Sequence, residues 1–369
     1  MKKKINLMIA GIFMALIAYG SYTYLIGTGQ DTVIKVKQVD RNGTLINSPI
    51  ILAGKFLHNY DFNPQIQDYD LTNSVDLPSN FTRNNQNLTL KYNSNLNLKD
   101  VTNTLNKSHL ILSMAQELST TSLGGSQKAN YSSSSVARLR ILTSSNGTSW
   151  QRLNIDYPNV QMRNTTPLWN GHELYVYFGK EAMYTNDFKN WKTLRWSSHF
   201  NKGRIKKQHV FSAKGKTYML ILGNTNKNKK NRVYYARINT KDGTVKSKWN
   251  RIAASSLPAR LVDVSVSYQD NTYYLTGTDS QGHVKVLKST TSLDNWKQSG
   301  VVLTSKRYSY QAAQIISIKN RLLMCYTLVD RKTGFSDGMM YRAFLKNNSS
   351  FSKQKKADID FTTHDFSVR

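Results

Sequence analysis

A mainly β chain that closes into a five-bladed β-propeller is the fold class this sequence predicts, on three observations. Five fifteen-residue pieces share one pattern: an apolar strand, a tight turn with Gly, Asn or Lys, and a second strand rich in Tyr and Leu. They are DVTNTLNKSHLILSM (100–114), NTTPLWNGHELYVYF (164–178), QHVFSAKGKTYMLIL (208–222), DVSVSYQDNTYYLTG (263–277) and AAQIISIKNRLLMCY (312–326). Their starts lie 64, 44, 55 and 49 residues apart, the length of a four-stranded unit with its loops. A polar turn closing on tryptophan recurs among them, as SSNGTSW at 144–150, TNDFKNW at 185–191 and TTSLDNW at 290–296. Trp249 and Phe351 stand in the equivalent places of the remaining units. Radial repetition protects sheet edges by closing the ring, whereas a stacked solenoid would have a shorter and more regular period.

Composition agrees with many short strands. Of 369 residues 11% are aromatic, with 21 Tyr and only 6 Pro, a balance that suits strands over disorder. The single cysteine, Cys325, excludes an internal disulfide and lies in the apolar RLLMCYTL, where it reads as core. An excess of 51 Lys+Arg over 22 Asp+Glu gives a net charge of +29, a field that draws polyanions. The basic residues are scattered, and no helix-turn-helix, zinc-finger or RNA-binding aromatic signature accompanies them, so nucleic acid is not the expected partner. Teichoic acids, acidic polysaccharides and anionic lipid heads remain.

Export is expected from the N-terminus. Lys2, Lys3 and Lys4 precede 22 uncharged residues, Ile5–Ile26. At about 1.5 Å per residue these span a hydrocarbon core of about 30 Å, and the lysines hold the short 1–4 segment in the cytoplasm. The expected location is the cell membrane, single-pass, with the rest of the chain outside. Cleavage before Ser21, after the small residues Ala18 and Gly20, is the alternative and would release a secreted protein. A cysteine-poor exported chain is typical of Gram-positive surfaces.

Residues 32–93 form a unit of their own. TVIKVKQVDRNGTLI reads as strand, turn at Asp40–Gly43, and strand, and FTRNNQNLTLKYN as a turn leading into an alternating strand. Val36, Val39, Asp40 and Gly43, then Tyr69-Asp70-Leu71, then Phe81-Thr82, Gln86, Leu88, Leu90 and Tyr92 match a known pattern. With them the unit resembles the mucin-binding-protein (MucBP) repeat of lactic-acid bacterial surface proteins. Gln38 stands where that family has its opening Tyr, and Asp68 where it has its central Gly. The resemblance implies a small β-grasp-like module, used as a spacer or as a mucin or glycan contact.

Residues 94–369 resemble the five-bladed propeller of family 43 glycoside hydrolases, whose blades close on S-x-D-L-x-N-W. Thr185-Asn186-Asp187-Phe188-Lys189-Asn190-Trp191 fits that turn, and Ser145-Asn146-Gly147 is similar to the sialidase Asp-box. In both classes the turn lies outside the blade, so Asp187 and Asp294 read as loop caps. The active centre lies where the innermost strands begin, which makes Asp100, Asn164, Gln208, Asp263 and Ala312 the candidates here. The resemblance implies Asp100 as the general base and Asp263 as the acid, the carboxylate pair an inverting glycosidase needs. It also implies an auxiliary Asp, and Gln208 occupies that position beside Lys206 and Lys207. Asp263 is one methylene shorter than the family's Glu.

The expected binding surface comprises Arg163, Asn164, Gln208, His209, Gln311 and Gln314, with Lys206, Lys207 and Arg260 beside them. Trp169 and Trp196 are near enough in sequence to stack on sugar rings. His109, His172 and His209 show no metal-ligand spacing, and no cofactor is expected. Two readings stay open. One is a surface carbohydrate-binding protein with a degenerate catalytic set, contacting a wall or host polysaccharide, with an anionic one expected. The other is an active inverting glycosidase, with adhesion by charge alone as a third.

Overall fold

The structure is a computed structural model. It describes residues 32–369 except 48, 67, 74–77, 83, 119–120, 123–135, 197–199, 201–202, 226–227, 246, 254–256, 259, 319–320, 335, 346–349 and 360–365. The expected transmembrane segment, Ile5–Ile26, lies outside the described residues. Among those described, no helix is long and apolar enough to cross a membrane. The chain divides into two compact units.

The first unit is built on β1 (Thr32–Val39), β2 (Ile50–Gly54), β3 (Tyr69–Leu71) and β4 (Gln86–Ser94). β1 pairs antiparallel with β2 and parallel with β4, and β3 pairs antiparallel with β4. Alternation in β1 buries Ile34 and Val36 with Leu52, Tyr69, Phe81, Leu90 and Tyr92. The Phe81 ring lies flat over Gly54, where a Cβ would stand 2.1 Å from it. At the predicted turn the Asp40 carboxylate accepts from the Asn42 and Thr44 N–H groups at 2.9 Å, and Gly43 takes a φ of 75°. Asp68 has a φ of 63°, the left-handed backbone that glycine favours. Gln38 donates to the Tyr92 hydroxyl at 3.3 Å inside this core.

The second unit begins with α1 (Leu98–Lys107), continues through β5 (Leu110–Leu118), and resumes with β7 (Val136–Ser144) and β8 (Gln151–Arg152). Between them β6 (Thr121–Ser122) pairs parallel with β2 and belongs to the first unit. Then come β9 (Thr166–Trp169), β10 (Leu174–Phe178), β11 (Glu181–Thr185) and β12 (Lys192–Leu194). The next group is β13 (Gly203–Ala213), β14 (Lys216–Thr225), β15 (Asn228–Asn239), β16 (Thr244–Val245) and β17 (Asn250–Ile252). It is followed by β18 (Leu261–Gln269), β19 (Thr272–Asp279), β20 (Val284–Ser289) and β21 (Lys297–Leu303). Last are β22 (Tyr308–Ile318), β23 (Arg321–Asp330), β24 (Ser336–Ala343), β25 (Lys355–Lys356) and β26 (Phe366–Val368).

Each of these groups is an antiparallel sheet in chain order, except that β26 crosses back to join β5, β7 and β8. The leading strands β9, β13, β18, β22 and β26 touch in that order, and β26 touches β9, so the ring is closed. A separate apolar cluster fills each gap between neighbouring sheets, for example Leu222, Leu261, Val266 and Leu275 between the β13 and β18 sheets. This is a β-propeller layout, and it joins the two ends of the unit across 250 residues of sequence.

Four of the five sequence pieces supply a leading strand and its neighbour. The first does not. Residues 98–107 are helix, because Leu98, Val101 and Leu105 recur at helical spacing behind Asn97, whose side chain caps the Lys99 N–H at 3.0 Å. Its place in the ring is taken by Phe366-Ser367-Val368, registered against Met114, Ser113 and Leu112.

The tryptophan turns are architecture. In the second, Thr185 Oγ1 accepts from the Phe188 N–H, while Asp187 accepts from the Lys189 and Asn190 N–H groups and the Asn190 side chain. Burial pushes the Asp187 carboxyl up, but those bonds outweigh it and hold the group at about 2. Trp191 Nε1 ties the turn to the Asp156 carbonyl at 2.7 Å. Ser144 and Asn146 repeat the device, with Gly147 in the left-handed place of Phe188. The third turn is one residue longer from hydroxyl to tryptophan, and Ser289 and Ser292 do the capping that sequence assigned to Asp294.

Candidate functional site at the mouth of the propeller

The backbone at the start of the leading strands is irregular in a consistent way. Register shifts fall at Ile205/Lys207, Leu261/Asp263 and Gln311/Gln314, and both Ala312 (φ 47°) and Asn164 (φ 53°) are left-handed. Bulges at a barrel or propeller rim turn side chains out of the regular alternation. Here they gather Arg163, Asn164, Lys207, Asp263 and Gln311 around one cavity of about 500 Å³, within the range of small-molecule sites. Asp279 and Ser280 join them from the β19–β20 turn, and Ser309 from β22. Gly282 (φ 72°) lets that turn sit on β22, since a Cβ there would meet Ser309 Oγ at 2.0 Å.

Lys207 Nζ lies 3.7 Å from Asp263 Oδ2, with the Val264 N–H donating to Oδ1 at 2.8 Å. These are donors offered to an ionised carboxylate, the reverse of what a proton-giving acid needs. Asp279 caps its own turn, accepting from the Gln281 and His283 N–H groups at 2.8 and 2.9 Å, with His283 Nδ1 at 3.2 Å. Below the mouth, Gln208 donates to the Tyr177 and Asn164 carbonyls. Its Oε1 is buried and accepts no hydrogen bond from the described residues.

Deeper still the channel is plugged. His209 Nδ1 is 3.1 Å from Ser367 Oγ and Nε2 is 3.0 Å from the Val266 carbonyl. Burial pushes the imidazole down to about 4 against the opposing pull of that carbonyl. Gln314 bonds the Phe366 carbonyl and the Val368 N–H and so sutures the closing strand. The space left around these residues is about 10 Å³.

Of the residues expected at the site, Arg163, Asn164, Asp263 and Gln311 converge, while Gln208 lines only the small space at the plug. Four of the expected residues, and the neighbouring Trp196, lie elsewhere. Asp100 is exposed in the first turn of α1, because its segment is helical and lends no leading strand. His209 and Gln314 are consumed by the plug. Trp169 ends β9 and lines a different cavity, its Nε1 held by Asn106 Oδ1 at 2.8 Å. Trp196 is core, fully buried and bonded to the Glu181 carbonyl. Cys325 is buried too, which pushes its thiol well up. Asp279, which sequence reading missed, shows only as the Asx of a D-S-Q-G turn. Among the described residues no group of three or more His, Cys, Asp or Glu could hold a metal ion.

No family model matches the chain, and no curated protein does. Solved structures do. The chain is similar to an α-L-arabinofuranosidase of Clostridium thermocellum at 12% identity and TM-score 0.41, covering 66% of this chain and 89% of that one. It is also similar to a family 43 endo-arabinanase of Bacillus licheniformis at 12% identity and TM-score 0.40, covering 56% and 86%. A thermostable family 43 glycoside hydrolase matches at 11% and 0.45, covering 62% and 88%. With identity and superposition this low, the chemistry of the site has to be read from its own residues.

Proposed function

We propose that the second unit is a five-bladed propeller that binds a polysaccharide at its mouth and does not hydrolyse it. The observation that carries this reading is the mouth cavity itself. It offers ammonium, guanidinium, amide and hydroxyl groups around about 500 Å³. Such a set suits sugar hydroxyls, each of which both donates and accepts. The two carboxylates present are already engaged, Asp263 by Lys207 and Asp279 by its turn. Asp100, the base implied by the family resemblance, is not among the lining residues.

The charge of +29 supports an anionic wall or host polysaccharide as the partner. The sequence of 5–26 supports a membrane anchor, and that of 32–93 a MucBP-like, β-grasp-like spacer outside a Gram-positive cell. Finding the mature chain starting at Ser21 would overturn the anchor.

Affinity electrophoresis against arabinan, xylan, polygalacturonate and wall polymer tests the binding reading. Retention by at least one glycan, weakened about tenfold by Lys207→Ala with no product released, is expected. Reducing ends released by the wild type and abolished by Asp263→Asn would establish the hydrolase instead.

A further inference from the structure

The other end of the channel holds a second cavity, of about 470 Å³. The leading strands β13, β18 and β22 give early residues to the mouth and the late residues Ser212, Tyr268 and Ser317 to this cavity, and Arg369 joins them after β26. Asn106 and His109 close it from the side of α1. The plug of His209, Ser367 and Gln314 separates it from the mouth.

Its chemistry differs from the mouth in two respects. Trp169 and Tyr268 both line it and are only partly buried. Each has its polar atom tied off, Trp169 Nε1 by Asn106 and the Tyr268 hydroxyl by Asn271. What remains of each ring for a ligand is apolar surface. The other difference is charge. No carboxylate side chain lines the cavity, while Arg369 does. Its guanidinium donates to the Trp169 carbonyl at 3.1 Å and to Ser212 Oγ at 2.9 Å, both neutral acceptors. Of five N–H donors these use two. Burial holds the group below its ordinary value, at about 10. The guanidinium is half-buried with donors to spare, and a ligand carboxylate taken in the paired fork geometry would use them.

We propose that this cavity is a second saccharide site, taking a sugar ring that carries a carboxylate, with the ring against Trp169 or Tyr268 and the carboxylate on Arg369. The site stands on its own residues and does not depend on what the mouth binds.

Titration calorimetry of the full chain with a galacturonate trisaccharide tests it, beside the neutral galactose trisaccharide and a glycerol-phosphate oligomer. The galacturonate is expected to bind at least tenfold more tightly than either. Arg369→Gln should remove that preference. Because Arg369→Gln also cuts two structural bonds, the second variant is Asn106→Asp. It keeps the acceptor for Trp169 Nε1 on an exposed helical position and adds only a negative charge. A loss of fivefold or more in galacturonate affinity, with the neutral sugar unchanged, is expected. Galacturonate binding that Asn106→Asp leaves untouched would overturn the proposal. So would absence of binding, or a preference for the glycerol phosphate.

Discussion

The two ends of the propeller channel are made by the same strands and have opposite chemistry. At the mouth, bulged strand starts bring Arg163 and Lys207 together with Asp263 and Asp279, and charges of both signs meet amides and hydroxyls. At the far end the same strands run regularly, and their late residues present aromatic faces and one cation with no carboxylate side chain. Backbone irregularity accounts for the difference. Where the ladder is broken, adjacent polar residues share one cavity; where it is regular, alternation sends half of them elsewhere. Between the two ends stands β26, a three-residue strand whose loss would join them.

The comparison breaks most severely if that strand is loosened. Phe366→Ala removes a side chain that is 3% exposed from the cluster shared by the first and last sheets. A cost of about 3–5 kcal/mol is expected in denaturant unfolding, with binding at both ends lost together. Loss at one end alone would show that the ends do not share the closing strand as a frame.

Acid acts next, through the plug. His209 is held at about 4 in the folded chain, against about 6.5 when unfolded. Above that unfolded value both states are neutral and the residue is indifferent to pH. As pH falls from about 6.5 towards 4, only the unfolded state gains the proton, so stability drops by as much as about 3 kcal/mol. Denaturation at a series of pH values should show this slope, and His209→Gln should flatten it.

Asp187→Ala should cost about 1–2 kcal/mol, through the turn bonds it accepts, while binding at either end stays unchanged. A selective loss of glycan affinity would move the tryptophan turns from architecture into the site. Smallest of all is Asp100→Asn, expected within about 0.5 kcal/mol in stability and without effect on binding or product release.

The repeat was legible in sequence because a leading strand and its hairpin partner are close in the chain, and four of five pieces fell where expected. The closing strand was not, since Phe366 pairs with Met114 across some 250 residues and no local pattern announces it. Carrying the repeat's phase into 100–114 then misplaced Asp100, although Asn97 and the Leu98, Val101, Leu105 spacing favoured a helix. Asn164 and Asp263 were found because strand starts line the mouth whatever the loops do. Asp279 was not, because it reaches the mouth from a neighbouring hairpin. His209 and Gln314 show the opposite error: polar residues beside the mouth in sequence that the closing strand draws inward.

The most direct measurement is a time course of reducing ends on whichever polysaccharide the chain retains, run with wild type and Asp263→Asn in parallel with binding. The account predicts retention of the glycan by wild type and no release of reducing ends by either protein over a long incubation. Steady release by wild type that Asp263→Asn abolishes would contradict it.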